Sequence, residues 1–356
     1  MQHAESLSAT DYSVRSFRPS DLPALTLLTA KAFAADKTWG ERRTLTEITL
    51  PALLASGPSF DPELVLVAEG RDGGLLGAAI WYPYAMRLRG ERIVAANLAP
   101  LAVDPEAKGR GLGSALMRAS FPVLEGRGAS LAFLCGHEAY YPRFGFLKNM
   151  FGQFGLRPAR TGDGEQSPDA AGDILRAPRP SDEAVLLELW EACQGSLDFA
   201  LEPEPGFVSW MAWTPSTQAL VLERRGKAAA YARFANERPS DAFGGNAEPK
   251  ATSIRQFLAA DAAAAARLLS ALGRPLGSGA GETSPYLPVH PDSEAAKRLF
   301  PAGFEAVRAT GGYAMALPLE GGPARAVRAA AEYCALVSEG KLEPGLLVLP
   351  PIFDLE

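Results

Sequence analysis

Short apolar runs separated by turn residues set the rhythm of this chain. "ELVLVAEGRDGGLLGAAIWY" (residues 63–82) reads as strand, turn and strand, because two apolar stretches flank the Gly- and Asp-rich "GRDGG". "AANLAPLAVDP" (95–105) is short, apolar and closed by Asp-Pro, which predicts a buried strand entering a turn. "SLAFLCG" (130–136) is another such run. Between these two the pattern changes. From Ser114 onward, Ala115, Leu116, Met117, Arg118 and Ala119 are good helix formers. Strand, loop, helix and strand make a βαβ unit.

The rhythm then repeats. "RSFRPSD" (15–21) returns 161 residues later as "RAPRPSD" (176–182). Both precede an amphipathic helical pattern, for which Ser20/Asp21 and Ser181/Asp182 are natural N-caps. "FGF" (144–146) is echoed by "AGF" (302–304), and the strand pair of 63–82 has a looser counterpart in "QALVLERRGKAAAYARF" (218–234). Matching order at near-equal offsets predicts one fold used twice. The Gly-, Pro- and Asp-rich stretch 157–173 lacks large apolar residues and predicts the linker. The expected layout is a first domain over 1–156, a second over 174–320 and a tail over 321–356. The tail carries an Ala-rich helix over about 323–338 and a last apolar run, "GLLVLPPIFDLE", that local pattern assigns to neither sheet.

The most informative stretch is "DPEAKGRGLGSALMRAS" (104–120). Gly109, Gly111 and Gly113 alternate with other residues directly before the helix, flanked by Lys108 and Arg110. Glycine admits positive φ and close approach of a ligand to the backbone. Successive N–H groups can converge on an anion, and a helix N-terminus adds free donors and partial positive charge. The pattern points to a phosphate cradle, though a plain glycine turn before a helix has the same look. Two familiar phosphate loops do not fit. The last glycine of G-x-G-x-x-G would be Ser114 or Leu116; the second glycine of a nucleotide P-loop would be Ser114, and no Lys follows Gly113.

After the second strand comes "HEAYYPRFGF" (137–146). "LAVDPEAKGRGLGSALM" followed by "YYPRFGF" resembles the GNAT superfamily of N-acetyltransferases. Lys108, Gly111 and Gly113 stand in that family's Arg/Gln-x-x-Gly-x-Gly/Ala loop, with Lys108 a mild departure. Tyr141, Gly145 and Phe146 match its Tyr-x-x-x-Gly-Phe signature. The resemblance covers about residues 12–150. It implies a mixed α/β (α+β) fold. Each of two tandem GNAT-like domains would have a mostly antiparallel twisted sheet with a splayed strand pair, flanked by helices.

The resemblance also implies acetyl-CoA as cosubstrate and an amine acceptor; no metal is expected, because no paired His, Cys or Asp cluster has metal-ligand spacing. The cosubstrate's pyrophosphate would be held by Lys108, Gly109, Arg110, Gly111, Leu112, Gly113, Ser114 and Ala115, and its thioester would lie along Leu101, Ala102 and Val103. Pro100, lacking an N–H, would mark the bulge where strand pairing breaks. Tyr141 stands at the family's general-acid position, with a buried structural tyrosine as the alternative; Tyr140 would lie on another face. The family often places a carboxylate on the strand before the loop, but residues 95–103 hold none. His137 and Glu138 are the candidate bases after the next strand. Asp36 and Glu41 are candidates after the first helix, and solvated surface roles stay open for all four. In the second copy the loop position falls near "LAADAAAAARLLSALG" (258–273), without glycine between Leu258 and Leu272 and with a repelling charge at Asp261. That copy reads as degenerate, with Asp261 as a helix N-cap.

Composition narrows the partners. A net charge of −6 over 356 residues lacks the basic footprint of a nucleic-acid binder. No apolar stretch reaches the roughly 20 residues of a membrane helix, and the first residues hold no apolar signal region. Cys135, Cys193 and Cys334 are few and scattered, which fits a cytoplasmic protein with cysteines as small buried hydrophobes. Trp81, Tyr82 and Tyr84 read as packing rather than a ligand cage, and Trp39 lies beside an acceptor-site segment. The expected function is acetyl-CoA-dependent acetyl transfer to a primary amine of a small molecule. A protein N-terminus or lysine is the alternative acceptor, and a non-catalytic acyl-CoA-binding regulator is the rival class. Monomer and homodimer both stay open.

Overall fold

The computed structural model describes residues 11–34, 57, 59–152, 154–159, 172–212, 217–235, 253–273, 286–308 and 310–351. In chain order its strands begin with β1 (Tyr12–Ser16), β2 (Val65–Gly70), β3 (Leu75–Leu88), β4 (Glu91–Val103), β5 (Leu131–Cys135), β6 (Leu147–Lys148), β7 (Phe151–Gly152) and β8 (Gly155–Pro158). They continue with β9 (Ile174–Arg176), β10 (Ala200–Leu201), β11 (Thr217–Arg224), β12 (Lys227–Ala235), β13 (Ser253–Ala259), β14 (Phe304–Val307), β15 (Ala314–Pro318) and β16 (Gly345–Leu346). The helices are α1 (Leu22–Ala34), α2 (Leu112–Gly126), α3 (Glu183–Gln194), α4 (Ala262–Gly273), α5 (Glu294–Leu299) and α6 (Ala324–Ser338). The strand pairs expected from 63–82 and 218–234 are β2–β3 and β11–β12, each an antiparallel hairpin.

Two units form, and they are not consecutive halves. One is Met1–Met150 with Gly312–Leu342; the other is Phe151–Gly311 with Glu343–Leu355. The first unit's sheet runs β1-β2-β3-β4-β5-β15-β6, with β4 and β5 parallel and the other pairs antiparallel. Its strand β15, from far along the chain, inserts between β5 and β6. The second unit has the antiparallel sheet β13-β12-β11-β9. There β8, from early in the chain, pairs with β14, and its Leu156 bridges Leu287 on the other side. Each unit is thus completed by a strand from the other half of the sequence.

The borders read at 156, 174 and 320 therefore give way to crossings after residues 150, 311 and 342. The expected linker opens inside β8, and its residues 160–171 lie outside the described residues. The tail is divided: α6 belongs to the first unit, while β16, the start of the last apolar run, pairs in parallel with β7 in the second. An apolar run reports that a strand will form; it carries no label for the sheet edge that will take it.

The repeated "R-x-x-R-P-S-D" has one geometry in both places. Arg15 faces Val67 across β1–β2 and grips Asp21 (2.7 and 3.0 Å) and Glu69 (2.9 and 2.8 Å). Arg176 faces Val221 across β9–β11 and grips Asp182 (2.7 Å twice) and Glu223 (2.5 Å). Each aspartate also accepts the N–H of Arg18 or Arg179 at 2.7 Å, closing the turn before α1 or α3. The guanidinium beside it holds the Asp182 carboxyl below its ordinary range. Such a group stabilises the fold above the usual carboxylate range and loses that effect as pH falls through its folded pKa. Arg176→Ala should therefore cost about 2–3 kcal/mol, since charged hydrogen bonds are lost and Asp182 stays buried. It should also flatten acid destabilisation as pH falls through and below the ordinary carboxylate range. Urea titrations across pH check both; an unchanged midpoint would show the triad to be ornamental.

Each unit has its own core. Leu116, Met117 and Leu124 of α2 pack on Ala79, Trp81, Ala96 and Leu98 in the first. Leu186, Leu189 and Trp190 of α3 pack with Val221, Phe257 and Leu268 in the second. Cys193 and Cys334 are buried as expected, but Cys135 is exposed at the end of β5. Among the described residues, no helix is long and apolar enough to cross a membrane.

Candidate functional site

The first unit's sheet opens at its centre. β4 and β5 pair only at Ala95–Leu131, Ala96–Ala132 and Asn97–Phe133. β4 runs on to Val103 and β5 to Cys135, so the strands part beyond Asn97. The far edge of β4 stays bonded to β3 up to Gly77–Val103, and that of β5 to β15 up to Cys135–Ala314. Residues 98–103, including the expected Leu101, Ala102 and Val103, therefore have one bonded edge and one edge facing a fork. Opposite Ile80 the register slips, so that Ala99 and Pro100 together occupy one place. Pro100 sits where its missing N–H costs no ladder bond.

At the end of β4 the chain turns into the glycine loop. Asp104 Oδ1 accepts the Glu106 N–H at 3.0 Å and fixes a 3-10 turn, Pro105–Ala107. Lys108, Gly109, Arg110 and Gly111 are exposed, and buried Leu112 anchors the start of α2. Gly109 (φ 81°) and Gly111 (φ 83°) are left-handed, a conformation that costs other residues, and Gly111 is the N-cap of α2. The helix starts two residues before the expected Ser114. The Ala115 N–H closes its first turn on the Gly111 carbonyl at 3.0 Å. The Leu112, Gly113 and Ser114 N–H groups lie in the first turn, where no intrahelical partner exists. Ala115, expected in the cradle, lends its N–H to the helix instead.

Gly113 is a glycine for another reason. A Cβ there would lie 2.6 Å from the Tyr140 hydroxyl. Tyr140, expected on a different face, thus reaches over the first turn of α2. Arg143 stacks on its ring at 4.1 Å and donates to Ser114 Oγ at 3.0 Å, which brings a cation to the same turn. Arg143 was not among the expected site residues, although it lies inside "YYPRFGF".

Tyr141 opens a 3-10 turn, Tyr141–Phe144, that ends on left-handed Gly145 (φ 94°). Its ring packs against Tyr140 at 5.0 Å and Phe146 at 6.0 Å and slides past Gly136, where any Cβ would strike it. Burial, with Tyr140 alongside, raises its pKa well above the ordinary tyrosine value, so it keeps its proton. His137 and Glu138 are exposed in the turn after β5. Glu138 lies against Gly312 and pairs with Lys148 of β6 at 3.4 Å. Because β6 lies beyond β15, Glu138 leans away from the fork. Trp81, Tyr82 and Tyr84 are buried in β3. Asp36, Trp39 and Glu41 lie outside the described residues. Among the described residues, no cluster of His, Cys, Asp or Glu is placed to hold a metal.

A forked strand pair, a glycine cradle at a helix N-terminus and a buried phenol now stand together. Residues 13–148 match the family described as Acetyltransferase (GNAT) domain. Over 122 residues the chain is 34% identical to Uncharacterized N-acetyltransferase YjhQ of Escherichia coli (strain K12), covering 33% of this chain and 67% of that protein. The chain belongs to the GNAT acetyltransferases. A GNAT family acetyltransferase from Brucella melitensis, solved in complex with acetyl-CoA, is 30% identical and spans 39% of this chain and 84% of its own, with a TM-score of 0.33. A GCN5-related N-acetyltransferase from Kribbella flavida shares the fold over 88% of this chain and 73% of its own, at 19% identity and a TM-score of 0.57.

For this GNAT acetyltransferase the residues present fit acetyl-CoA. The fork edge, residues 98–103, offers backbone groups to an extended ligand arm. The first turn of α2 offers N–H groups to a diphosphate, with Arg143, Lys108 and Arg110 around it.

Proposed function

We propose that the first unit transfers an acetyl group from acetyl-CoA to the primary amine of a small molecule. The fork opening between the glycine cradle and Tyr141 carries this reading. The cradle binds the pyrophosphate through the N–H groups of Leu112, Gly113 and Ser114, with Arg143 reinforcing them. A backbone N–H on the free edge of residues 98–103 polarises the thioester carbonyl. Tyr141, kept protonated by burial, gives its proton to the departing thiolate. The acceptor must lose one proton. Residues 95–103 hold no carboxylate and Glu138 is turned aside, so the proton goes to His137, Asp36, Glu41 or water, or the amine arrives neutral.

The same gap supports one rival, an acyl-CoA-binding regulator without acceptor chemistry. A screen of small amines, peptide N-termini and lysine peptides, read by release of free CoA thiol, separates the readings. Turnover with a small amine supports the proposal. Acetyl-CoA binding without thiol release in any arm would favour the regulator. Sparse, unpaired cysteines support a cytoplasmic setting.

The second unit is read as a degenerate copy. The two Arg–Asp–Glu triads, set in matching register, support common descent of the halves. At α4 the first turn is already occupied. Asp261 Oδ1 accepts the Ala264 N–H at 2.7 Å, and the Asp261 carboxylate pairs with Arg224 at 3.5 Å. Arg298 of α5 donates to the carbonyls of Ala259 and Ala260, the backbone at the end of β13. An anion would meet a carboxylate there. Calorimetric titration with acetyl-CoA should therefore give one molecule per chain; a stoichiometry near two would refute the degenerate reading.

A further inference from the structure

Asn97 occupies the last paired position of β4 before the fork. It is the polar residue within an otherwise apolar strand segment, and it is only 7% exposed. Buried amides are normally hydrogen-bonded, because an unpaired one forfeits its solvation. Among the described residues the Asn97 side chain has no hydrogen-bond partner. Its place in the ladder is the point beyond which β4 and β5 no longer pair.

Its direction follows from strand alternation. Ala96 and Leu98 pack with Leu116 and Met117, so they face α2. Asn97 faces the opposite side of the sheet, next to its cross-strand neighbour Tyr82. The cradle lies at the start of α2. A cofactor held there reaches the fork from the α2 face, and a nucleophile reaching the thioester from the other face meets Asn97.

We propose that Asn97 is the residue that orients the acceptor amine, its side-chain oxygen accepting one N–H so that the nitrogen lone pair faces the thioester carbon. This rests on the acetyl-transfer reading above. In the step, the C–N bond forms, the C–S bond breaks, the amine proton leaves to solvent or His137, and the thiolate takes a proton from Tyr141. An amide oxygen orients without acting as a base, so the attacking amine must be neutral. The rate should then follow the acceptor's own ionisation on the acid side.

Hydroxylamine is the probe, since it is small enough for any acceptor pocket and is largely neutral at pH 7. The readouts are acetohydroxamate formation, corrected for the uncatalysed reaction, and acetyl-CoA affinity by calorimetry. Asn97→Ala should leave acetyl-CoA affinity within about twofold and lower kcat/KM for hydroxylamine by about tenfold, the effect of one lost hydrogen bond. Asn97→Asp keeps an acceptor oxygen and adds a base; it should recover the rate above the carboxylate range and extend activity to lower pH.

Unchanged hydroxylamine kinetics in Asn97→Ala would overturn the proposal. So would an equal loss in acetyl-CoA affinity, or an Asn97→Asp chain that folds and binds acetyl-CoA but does not recover the rate. A wild-type chain that turns over an acceptor in the screen above yet forms no hydroxamate also overturns it, because an open fork must admit so small a nucleophile. Failure of the underlying acetyl-transfer reading shows differently, as absent acetyl-CoA binding or as binding with no thiol release in any arm of the acceptor screen.

Discussion

Gly111→Asp and Gly113→Asp should each nearly abolish acetyl-CoA binding, by at least about 100-fold in calorimetric Kd, or some 2.7 kcal/mol. The two changes act by different routes. Gly111 has φ 83° and open space around it, so a side chain there meets no clash but must hold a left-handed backbone. That strain is worth about 1–2 kcal/mol. Its carboxylate would also stand at the N-cap, facing the incoming pyrophosphate. Gly113 has no such backbone demand; its missing Cβ is the space used by the Tyr140 hydroxyl. A side chain there must push Tyr140 aside and disturb the Arg143 stack and its bond to Ser114. Alanine at each position isolates these effects from charge: Gly111→Ala should weaken binding by about tenfold through strain alone. Lys108→Ala should weaken it only modestly, since that side chain is exposed. Wild-type affinity surviving both aspartates would remove the loop from the cofactor site.

Much of this loop was legible because its information is local. Positive φ at Gly109 and Gly111, the helix behind them and the short strands on either side are all set by neighbours in sequence. The Asp261 N-cap of α4 was legible for the same reason. The features that escaped depend on partners distant in sequence. β15 and β8 look like ordinary short strands, and only the competition among sheet edges decides that each completes the other half's unit. Tyr140 and Tyr141 are adjacent and alike. A 3-10 turn, not a strand, carries them, so alternation could not say that one lies over Gly113 while the other is buried beside Gly136. Cys135 reads as core, yet it lies where β5 has lost its β4 neighbour, and so it is exposed. Asn97 was in plain view in "AANLAPLAV". An amide carries no charge to mark it as a base, and its significance depends on where the fork opens, which one strand's sequence does not state.

Tyr141→Phe should lower kcat by about 10²–10⁴-fold while leaving acetyl-CoA affinity unchanged, the usual range for loss of a positioned acid. The substitution keeps the ring against Tyr140 and Phe146, so only the hydroxyl is removed. Tyr140→Phe is the matched control. Its hydroxyl lies at the cradle, so its effect should fall on acetyl-CoA KM rather than on kcat. The pH profile gives a second test. Burial raises the Tyr141 pKa and holds it in the protonated form needed to donate. A phenol with an ordinary pKa of about 10 would begin to lose that form in mildly alkaline solution. With Tyr141 as donor, kcat should stay level through that range and fall only well above it. The measurement requires that chemistry limit turnover, which an absent solvent-viscosity effect on kcat establishes. Under that condition, full turnover by Tyr141→Phe would make Tyr141 a packing residue, and the proton for the thiolate would have to come from water in the fork.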